Sequence, residues 1–358
     1  MRDKTMRVAI VGFPYCGKSA LFTAISGVPR DHLKLAEENR AAVKMPEPRL
    51  VWLEQLFQPK KRTEATIDFV DLPGSGEGDQ EHAGLTKHLP TLRQSDALLV
   101  VLRAFASEAV PTHGGQIDPQ RDLAQLRDEL LLADLLICDN RIEKLENAIT
   151  KPTRERDRQK HELAVLQRCR DALENERPLR EVVQPGDEEK LLRSFGFLTQ
   201  KPLLLVINVS ENQIGSEPAV HDPHAAATFT VCAEIEAEII QMERADRPEF
   251  MKAYGILALA RDRIIRASFD ALGMIVFFTG GDNEVRAWAV PKGTLAVEAA
   301  GKVHTDMQRG FIRAETVAFD HLHAAGSMRD AKAAGKVRLE PRSYIVQDGD
   351  VLNIKFNV

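Results

Sequence analysis

The sequence predicts an α/β fold: a mostly parallel sheet with a phosphate-binding loop, an inserted antiparallel helical arm, and a smaller C-terminal α+β module. Short apolar runs alternate with helical stretches through most of the chain, which is the pattern of a parallel sheet covered by helices. A glycine-containing loop, residues 12–19, follows the first run directly. Residues 119–199 show mainly helical spacing, and short strand patterns return after residue 276. Because parallel sheets bind ligands at the carboxyl ends of their strands, we expect the functional site at that edge.

Five apolar runs are the predicted strands of the parallel sheet, and each ends in a polar or glycine-containing segment. Their positions are residues 6–11, 65–70, 97–102, 202–208 and 228–232. The runs are short and rich in branched side chains, as expected for strands that are buried on both faces. Helical spacing over residues 19–26 follows the first run, so the order there is strand, loop, helix.

Between the third and fourth strands, apolar side chains recur at helical spacing and charged residues fill the other positions. The recurring residues are Leu123, Leu126, Leu130, Ile137, Ile142, Leu145 and Ile149, followed by Leu163, Leu166, Cys169 and Leu173. A polar break at residues 151–158, which contains Pro152, separates the two groups. This pattern predicts two long antiparallel helices that form a coiled-coil-like arm. The alternative is that both helices pack on the main domain.

The last eighty or so residues predict a small mixed α+β module. Short strand patterns lie at residues 277–278, 285–290, 314–318, 344–346 and 351–356, and a helix fits residues 321–334. We therefore predict three domains. They are a discontinuous nucleotide-binding domain (1–118 and 200–276), a helical insert (119–199) and a C-terminal module (277–358).

Composition excludes several classes of protein. The net charge of -5 gives no general attraction to nucleic acid, so any such surface would be a local patch. The longest apolar runs are too short to span a bilayer, and the first residues lack a signal-peptide core. The four cysteines are scattered and form no C-x-x-C pair. We expect a cytoplasmic protein without membrane contact.

The strongest motif is a phosphate-binding P-loop. The segment Gly12-Phe13-Pro14-Tyr15-Cys16-Gly17-Lys18-Ser19 fits G-x-x-x-x-G-K-[ST] at every fixed position. Backbone N–H groups of such a loop cradle phosphate oxygens, the lysine neutralises the β and γ phosphates, and the serine hydroxyl ligates Mg²⁺. The alternative is a tight turn with an exposed lysine. The residues assigned here to nucleotide binding are Gly12, Pro14, Tyr15, Cys16, Gly17, Lys18, Ser19 and Ala20.

A second motif, Asp71-Leu72-Pro73-Gly74, closes the second predicted strand and matches D-x-x-G. An aspartate there can hold Mg²⁺ through water, and the glycine N–H can sense the γ phosphate. We assign Ser19 and Asp71 to the metal, and Lys18, Asp71 and Gly74 to catalysis.

The base is predicted to lie near the fourth and fifth strand ends. Guanine-specific proteins usually carry N-K-x-D here, but this chain has Asn208-Val209-Ser210-Glu211. Loss of the lysine and the longer carboxylate weaken the case for guanine and make adenine plausible. We assign Asn208, Glu211 and the loop residues Cys232, Ala233 and Glu234 to base binding; the alternative for Asn208 is a simple strand-end turn.

Together these motifs resemble the YchF subfamily of Obg-related P-loop proteins, over nearly the whole chain. Further matching segments are Pro46-Glu47-Pro48-Arg49-Leu50, Gln58-Pro59-Lys60-Lys61, Phe277-Phe278-Thr279-Gly280, Glu284-Val285-Arg286-Ala287-Trp288, His304-Thr305-Asp306, Arg309-Gly310-Phe311-Ile312-Arg313-Ala314-Glu315, Asp348-Gly349-Asp350 and Phe356-Asn357-Val358. The resemblance implies a P-loop domain, an inserted helical arm and a ubiquitin-like β-grasp TGS domain. It also implies preference for ATP over GTP, slow hydrolysis, and association with ribosomes or with the translation and stress-response machinery, with ribosome or RNA contact through the TGS domain and the helical arm. We expect a monomer.

The chain departs from the family in three places. The family usually has asparagine at the position of Tyr15, where in related proteins it helps to hold a monovalent cation; a phenol cannot replace it directly. Residues 28–58, which contain the first switch, have no Ser or Thr to give Mg²⁺ a second hydroxyl. Many GTPases place a water-orienting glutamine after D-x-x-G, but this chain has Ser75.

Acidic side chains and one histidine are the substitutes that the sequence offers. Asp31, Glu37 or Glu38 could contact the metal through water, and Glu77, Asp79 or His82 could orient water. The alternative for the last three is a mobile glycine-rich loop with solvated acids. The sequence therefore predicts a weak ATPase, with a pure nucleotide-binding interaction module, or a GTP-specific protein, as the alternatives.

Overall fold

The computed structural model describes residues 6–34, 37–73, 85–150, 154–217 and 220–357. Their strands form two six-stranded sheets. The strands are β1 (Arg7–Val11), β2 (Asn39–Lys44), β3 (Lys61–Thr63), β4 (Thr66–Asp71), β5 (Ala97–Arg103), β6 (Leu203–Asn208), β7 (Ala227–Val231), β8 (Met274–Gly280), β9 (Glu284–Pro291), β10 (Phe311–Ala318), β11 (Arg338–Glu340) and β12 (Asp350–Phe356).

Thirteen α-helices lie within these described ranges. They are α1 (Lys18–Ser26), α2 (Pro48–Phe57), α3 (Leu89–Gln94), α4 (Pro119–Ala148), α5 (Arg156–Glu174), α6 (Asp187–Leu192), α7 (Ala233–Gln241), α8 (Arg247–Ala253), α9 (Ala260–Ala271), α10 (Ala296–Val303), α11 (Thr305–Arg309), α12 (Phe319–Ala325) and α13 (Met328–Ala333). None of these helices is both long and apolar enough to cross a membrane.

The first sheet has the order β2-β4-β1-β5-β6-β7, and β1, β5, β6 and β7 pair in parallel. All seven residues of β5 are buried, because this central strand is covered on both faces. The five predicted strands of this sheet are confirmed. The edge strand β2 was not predicted, since its alternating polar residues carry only a weak strand signal. The carboxyl ends of β1, β4 and β6 bring the three predicted motifs to one edge.

The helical arm consists of α4 and α5, which share a hydrophobic core. The Cys138 thiol of α4 interacts with Cys169 of α5, and Arg141 pairs with Glu162. Later residues of α4 therefore meet earlier residues of α5, so the helices are antiparallel as predicted. The connecting residues 151–153 lie outside the described part of the chain.

A buried aspartate ties α4 to the segment before β6. Asp134 is fully buried and accepts hydrogen bonds from the backbone N–H groups of Leu198 and Thr199 and from the Thr199 hydroxyl. Arg93 pairs with the same carboxylate at 3.1 Å. A buried carboxylate needs such partners, so this cluster fixes the root of the arm.

The second sheet has the order β11-β10-β12-β8-β9-β3. Its core contains Phe277, Trp288, Phe311 and Leu352, packed against α10. Two local predictions are wrong here. Residues 344–346 form no strand, since only Leu295 and Ile345 make an isolated bridge, and the helix over residues 321–334 is divided. Gly326, with φ 74°, ends α12, and the Ser327 hydroxyl accepts the Asp330 N–H to begin α13.

The chain divides into two compact units. One contains residues 7–41 and 69–261; the other contains residues 1–6, 42–68 and 262–358. These units cut the chain differently from the predicted domains: residues 42–68 group with the C-terminal sheet, and the helical arm groups with the first sheet. The predicted boundaries at 118, 199 and 276 stay a prediction.

Candidate functional site

The loop between β1 and α1 contains three residues with positive φ, two of them glycines. Gly12 and Gly17 have φ values of 153° and 98°, and Tyr15 between them has 61°. A Cβ atom on Gly17 would lie 2.1 Å from the Asn208 side-chain nitrogen, and one on Gly12 would lie 2.4 Å from the Val101 carbonyl oxygen. Both glycines are therefore required by space as well as by conformation.

Lys18 begins α1 and its ammonium group lies over the loop. The Nζ atom donates to the carbonyl oxygens of Gly12 and Phe13, at 2.9 and 3.0 Å. These acceptors are neutral dipoles, so they hold the ammonium in place without cancelling its charge. The group can therefore attract an anion, as a phosphate-binding lysine must.

The predicted metal ligands Ser19 and Asp71 are in direct contact. The Ser19 hydroxyl donates to Asp71 Oδ2 at 2.9 Å. Asp71 is buried, and its Oδ1 has no hydrogen-bond partner among the described residues. Burial raises the pKa of Asp71, although hydrogen bonds from Ser19 and Asn39 and the charge of Lys18 oppose this effect. A hydroxyl next to a carboxylate oxygen without a partner fits Mg²⁺, a hard cation that binds oxygen ligands.

Asn208 connects the P-loop to the start of α7. Its side-chain nitrogen donates to the Cys16 carbonyl at 2.9 Å, and its oxygen accepts the Ala233 N–H at 3.0 Å. The side chain is buried. The asparagine therefore holds two predicted binding loops together, which is more than a strand-end turn would require.

A cavity of about 570 Å³ opens beside these residues. This volume lies in the usual range of small-molecule sites. Its lining comprises Pro14, Tyr15, Gly17, Lys18, Ser19, Ala20, Arg30, Leu33, Lys34, Asn39, Asp71, Pro73, Phe105, Val110 and Glu234. Arg30 and Glu234 form a two-pronged ion pair, with N–O distances of 2.7 and 2.6 Å, in this lining.

Several predicted residues do not line this cavity. Gly12, Cys16, Asn208, Cys232 and Ala233 are outside the lining, although Gly12, Cys16, Asn208 and Ala233 make the contacts given above. Glu211 begins an exposed turn after β6, and its part in base recognition stays a prediction. Gly74, Ser75, Glu77, Asp79 and His82 lie outside the described residues.

Two of the three acids proposed for the first switch have other partners. Glu37 pairs with Lys34, and Glu38 accepts the Thr91 hydroxyl and pairs with Arg40. Asp31 lies on an exposed 3-10 turn. In this region it is Asn39 that lines the cavity together with Asp71.

Sequence reasoning missed Arg30, Asn39, His88 and His113 at this edge. The His113 ring stacks on Phe13 of the P-loop, with ring centroids 3.8 Å apart and 8° between planes. His88 lines a small cavity with Lys18 and Pro73, and burial and the Lys18 charge lower the pKa of its ring. These residues belong to loops or short turns, and no fixed motif spacing marks them.

The sheet, the loop and the Ser19–Asp71 contact together define a P-loop nucleotide-binding protein. Two family models match: "YchF-GTPase_C: Protein of unknown function (DUF933)" over residues 274–357, and "50S ribosome-binding GTPase" over residues 7–141. The "Ribosome-binding ATPase YchF" of Bacillus subtilis is 38% identical, with 99% of this chain and 100% of the relative covered. The protein of the same name from Escherichia coli O157:H7 is 36% identical, with 98% and 99% covered.

Two further comparisons agree with these matches. The "Obg-like ATPase 1" of Oryza sativa is 32% identical, with 99% of this chain and 92% of the relative covered. The solved structure of the Schizosaccharomyces pombe YchF GTPase superposes with a TM-score of 0.85 at 27% identity, with 99% of each chain covered. The chain belongs to the YchF family.

Proposed function

We propose that this chain binds a purine nucleoside triphosphate with Mg²⁺, prefers ATP to GTP, hydrolyses it slowly, and acts as a switch on the ribosome. The observation that carries the proposal is the contact between Ser19 and Asp71 beside the Lys18 ammonium. Two metal-binding oxygens and one phosphate-binding cation thus share one edge of the cavity. Mg²⁺ held there would bridge phosphate oxygens and neutralise their charge.

The preference for ATP rests on the base-binding segment. Val209 is buried and cannot lie over a base as a lysine does, and the Asn208 amide makes hydrogen bonds to two loops. Little remains of the contacts that select guanine. Two relatives are named ribosome-binding ATPases, which agrees with adenine, whereas the fission yeast structure is titled a GTPase. GTP specificity is therefore the alternative to test.

A second candidate function is a binding module with negligible hydrolysis. The observation that favours it is the first switch, where no Ser or Thr is present and Glu38 is already paired with Arg40 and Thr91. Mg²⁺ would lack a second hydroxyl from this segment. Nucleotide would then only favour one conformation of the protein.

Nucleotide affinity and turnover test these proposals together. We would measure ATP and GTP binding by calorimetry with and without Mg²⁺, and phosphate release, for wild type, Lys18→Ala and Ser19→Ala. Lys190→Ala, which removes a lysine from the exposed face of α6, is the matched control. We expect tighter ATP binding, a loss of at least tenfold for Lys18→Ala, and loss of the Mg²⁺ effect for Ser19→Ala. GTP binding equal to or tighter than ATP binding would refute the base assignment.

Ribosome association needs its own measurement. We would sediment the full chain with ribosomes at increasing salt, without nucleotide and with ADP or a non-hydrolysable ATP analogue. Contacts to RNA phosphates weaken steeply with salt, so binding should fall as salt rises. Binding should also differ between nucleotide states. No cosedimentation in any state would reject the ribosomal role, and with it the cytoplasmic site of action that we infer from it.

A further inference from the structure

A second cavity, the arm-root cavity, lies where the helical arm joins the first sheet. It measures about 180 Å³, and its lining comes from α4, the segment after α5, the segment that leads into β6 and the loop before β7. All of its lining residues belong to the unit that contains residues 7–41 and 69–261. A water molecule needs roughly 10–15 Å³ by this measure, so the cavity has room for about twelve waters or a small molecule of similar size.

The arm-root cavity is separate from the nucleotide cavity. Among the described residues the two cavities share no lining residue. Leu203, the first residue of β6, lines the arm-root cavity, whereas Asn208, the last residue of β6, holds the P-loop. The residues of a strand rise about 3.3 Å each, so roughly 17 Å separates these two strand ends. A ligand in the arm-root cavity would therefore not touch the nucleotide.

The inner wall of the arm-root cavity is apolar. Leu123 and Leu130 of α4 and Leu198 before β6 line it, and each is at most 3% exposed. These leucines also pack in the hydrophobic core of the first sheet, which holds them in place. Because an apolar group placed against this wall leaves water, the wall favours a ligand with an apolar body.

The basic residues of the lining differ in how far they are neutralised. Arg127 is paired with the buried Asp222 at 2.7 Å, and Lys201 donates to two backbone carbonyls. Arg180 is exposed and donates to the His224 carbonyl at 3.2 Å. Among the described residues it has no carboxylate partner. Since a guanidinium binds a carboxylate through charge-assisted hydrogen bonds, Arg180 is the lining cation best able to take a ligand carboxylate.

Two carboxylates line the same cavity. Asp128 of α4 and Glu176 after α5 are both exposed, and neither pairs with a basic side chain in the described part of the chain. A simple anion would meet these carboxylates, and a simple cation would meet Arg180. A ligand that carries one charge of each sign avoids both conflicts.

We propose that the arm-root cavity binds a free α-amino acid with an apolar side chain, of about the size of leucine. The ligand carboxylate pairs with Arg180, and the ligand ammonium pairs with Asp128 or Glu176. The apolar side chain lies against Leu123 and Leu198. Because these residues come from α4 and from the segments after α5 and before β6, the ligand stabilises the root of the arm. The proposal does not depend on nucleotide binding.

Calorimetry on the nucleotide-free full chain tests the class of ligand with four probes. L-Leucine carries all three features, glycine lacks the apolar side chain, 4-methylpentanoate lacks the ammonium and 3-methylbutylamine lacks the carboxylate. We expect leucine to bind and each of the other probes to bind at least about tenfold more weakly, because each leaves one part of the cavity without a partner. Absence of leucine binding up to about 10 mM, or a single-charge probe that binds as tightly as leucine, would overturn the proposal.

Substitutions in the lining locate the binding. Ala124→Trp, at an exposed position of α4, places an indole in the cavity and should abolish leucine binding. Arg180→Met and the double variant Asp128→Asn/Glu176→Gln should each weaken it roughly three- to fivefold, since water weakens pairs between exposed charges. Arg177→Met, at an exposed position outside the lining, is the matched control and should bind leucine as wild type does.

ATP affinity measured on the same variants separates this inference from the proposed function. It should change by less than about twofold in all of them, because the two cavities are remote from each other. Leucine binding that is unchanged in Arg180→Met and in Ala124→Trp would place the ligand elsewhere and overturn the inference. Failure of wild type to bind ATP would reject the proposed function and leave the arm-root cavity as argued.

Discussion

Replacing Asn208 by alanine should destabilise the unit that contains residues 7–41 and 69–261. The same change should weaken nucleotide binding. The change removes the donor to the Cys16 carbonyl and the acceptor for the Ala233 N–H, both in buried surroundings. Leaving one buried polar group without a partner costs about 1–3 kcal/mol. The Cys16 carbonyl and the Ala233 N–H would both lose their partner, and water that enters the space would replace part of the lost hydrogen bonding. We therefore expect the free energy of unfolding to fall by about 3 kcal/mol.

Urea unfolding followed by far-ultraviolet circular dichroism measures this loss, and calorimetry measures ATP affinity. The chain has two tryptophans, Trp52 and Trp288, and both lie in the unit that contains the C-terminal sheet. Tryptophan emission therefore follows that unit, while circular dichroism follows both. Asn147→Ala, the same substitution at an exposed position of α4, is the control. A loss below about 0.5 kcal/mol, the size expected for an ordinary surface change, would refute our account of Asn208 as the connection between the loops.

Three other substitutions test separate contacts. Gly17→Ala should abolish nucleotide binding in calorimetry, because its Cβ would meet the Asn208 amide at 2.1 Å; normal affinity would show that the loop can rearrange. Glu234→Gln weakens the two-pronged pair with Arg30, so we expect a nucleotide affinity altered severalfold at low salt and less at high salt; the same change at both salt concentrations would contradict an electrostatic cause. The pKa of Asp348 is lowered, since hydrogen bonds and an arginine charge outweigh the effect of burial. The ionised Asp348 therefore stabilises the folded protein at pH values above its ordinary pKa of 3.8, and this stabilisation is lost as the pH falls through its lower pKa in the folded state. In Asp348→Asn, the stability measured by tryptophan emission should depend less on pH in this acidic range.

The features that were predicted correctly are those that a short stretch of sequence is enough to specify. Gly12, Gly17 and Lys18 were found because a tight loop between a strand and a helix restricts residue type at fixed spacing. Asp71 and Asn208 were found because each is the last residue of an apolar strand, and parallel strands bring such ends together.

The parts that were not predicted depend on pairing between distant residues. Arg30 meets Glu234 across 204 positions, and neither residue belongs to a periodic pattern. The strand β3 has three residues and pairs with β9 far along the chain, so its strand character comes from its partner. Residues 344–346 show the reverse case, because an apolar pattern suited to a strand is used for one isolated bridge.

Because β3 pairs with β9, the second sheet cannot be completed until β9 has been synthesised. Residues 42–68 belong to the same compact unit as residues 262–358, and about 190 residues separate the two parts. At roughly 5–20 residues per second, a ribosome takes about 10–40 s to make that interval. Throughout this time α2 and β3 exist without the strands that complete their sheet. The unit that contains the C-terminal sheet can therefore form only after residues 262–358 have been synthesised. A fragment of residues 277–358 would lack α2, β3 and the first residues of β8.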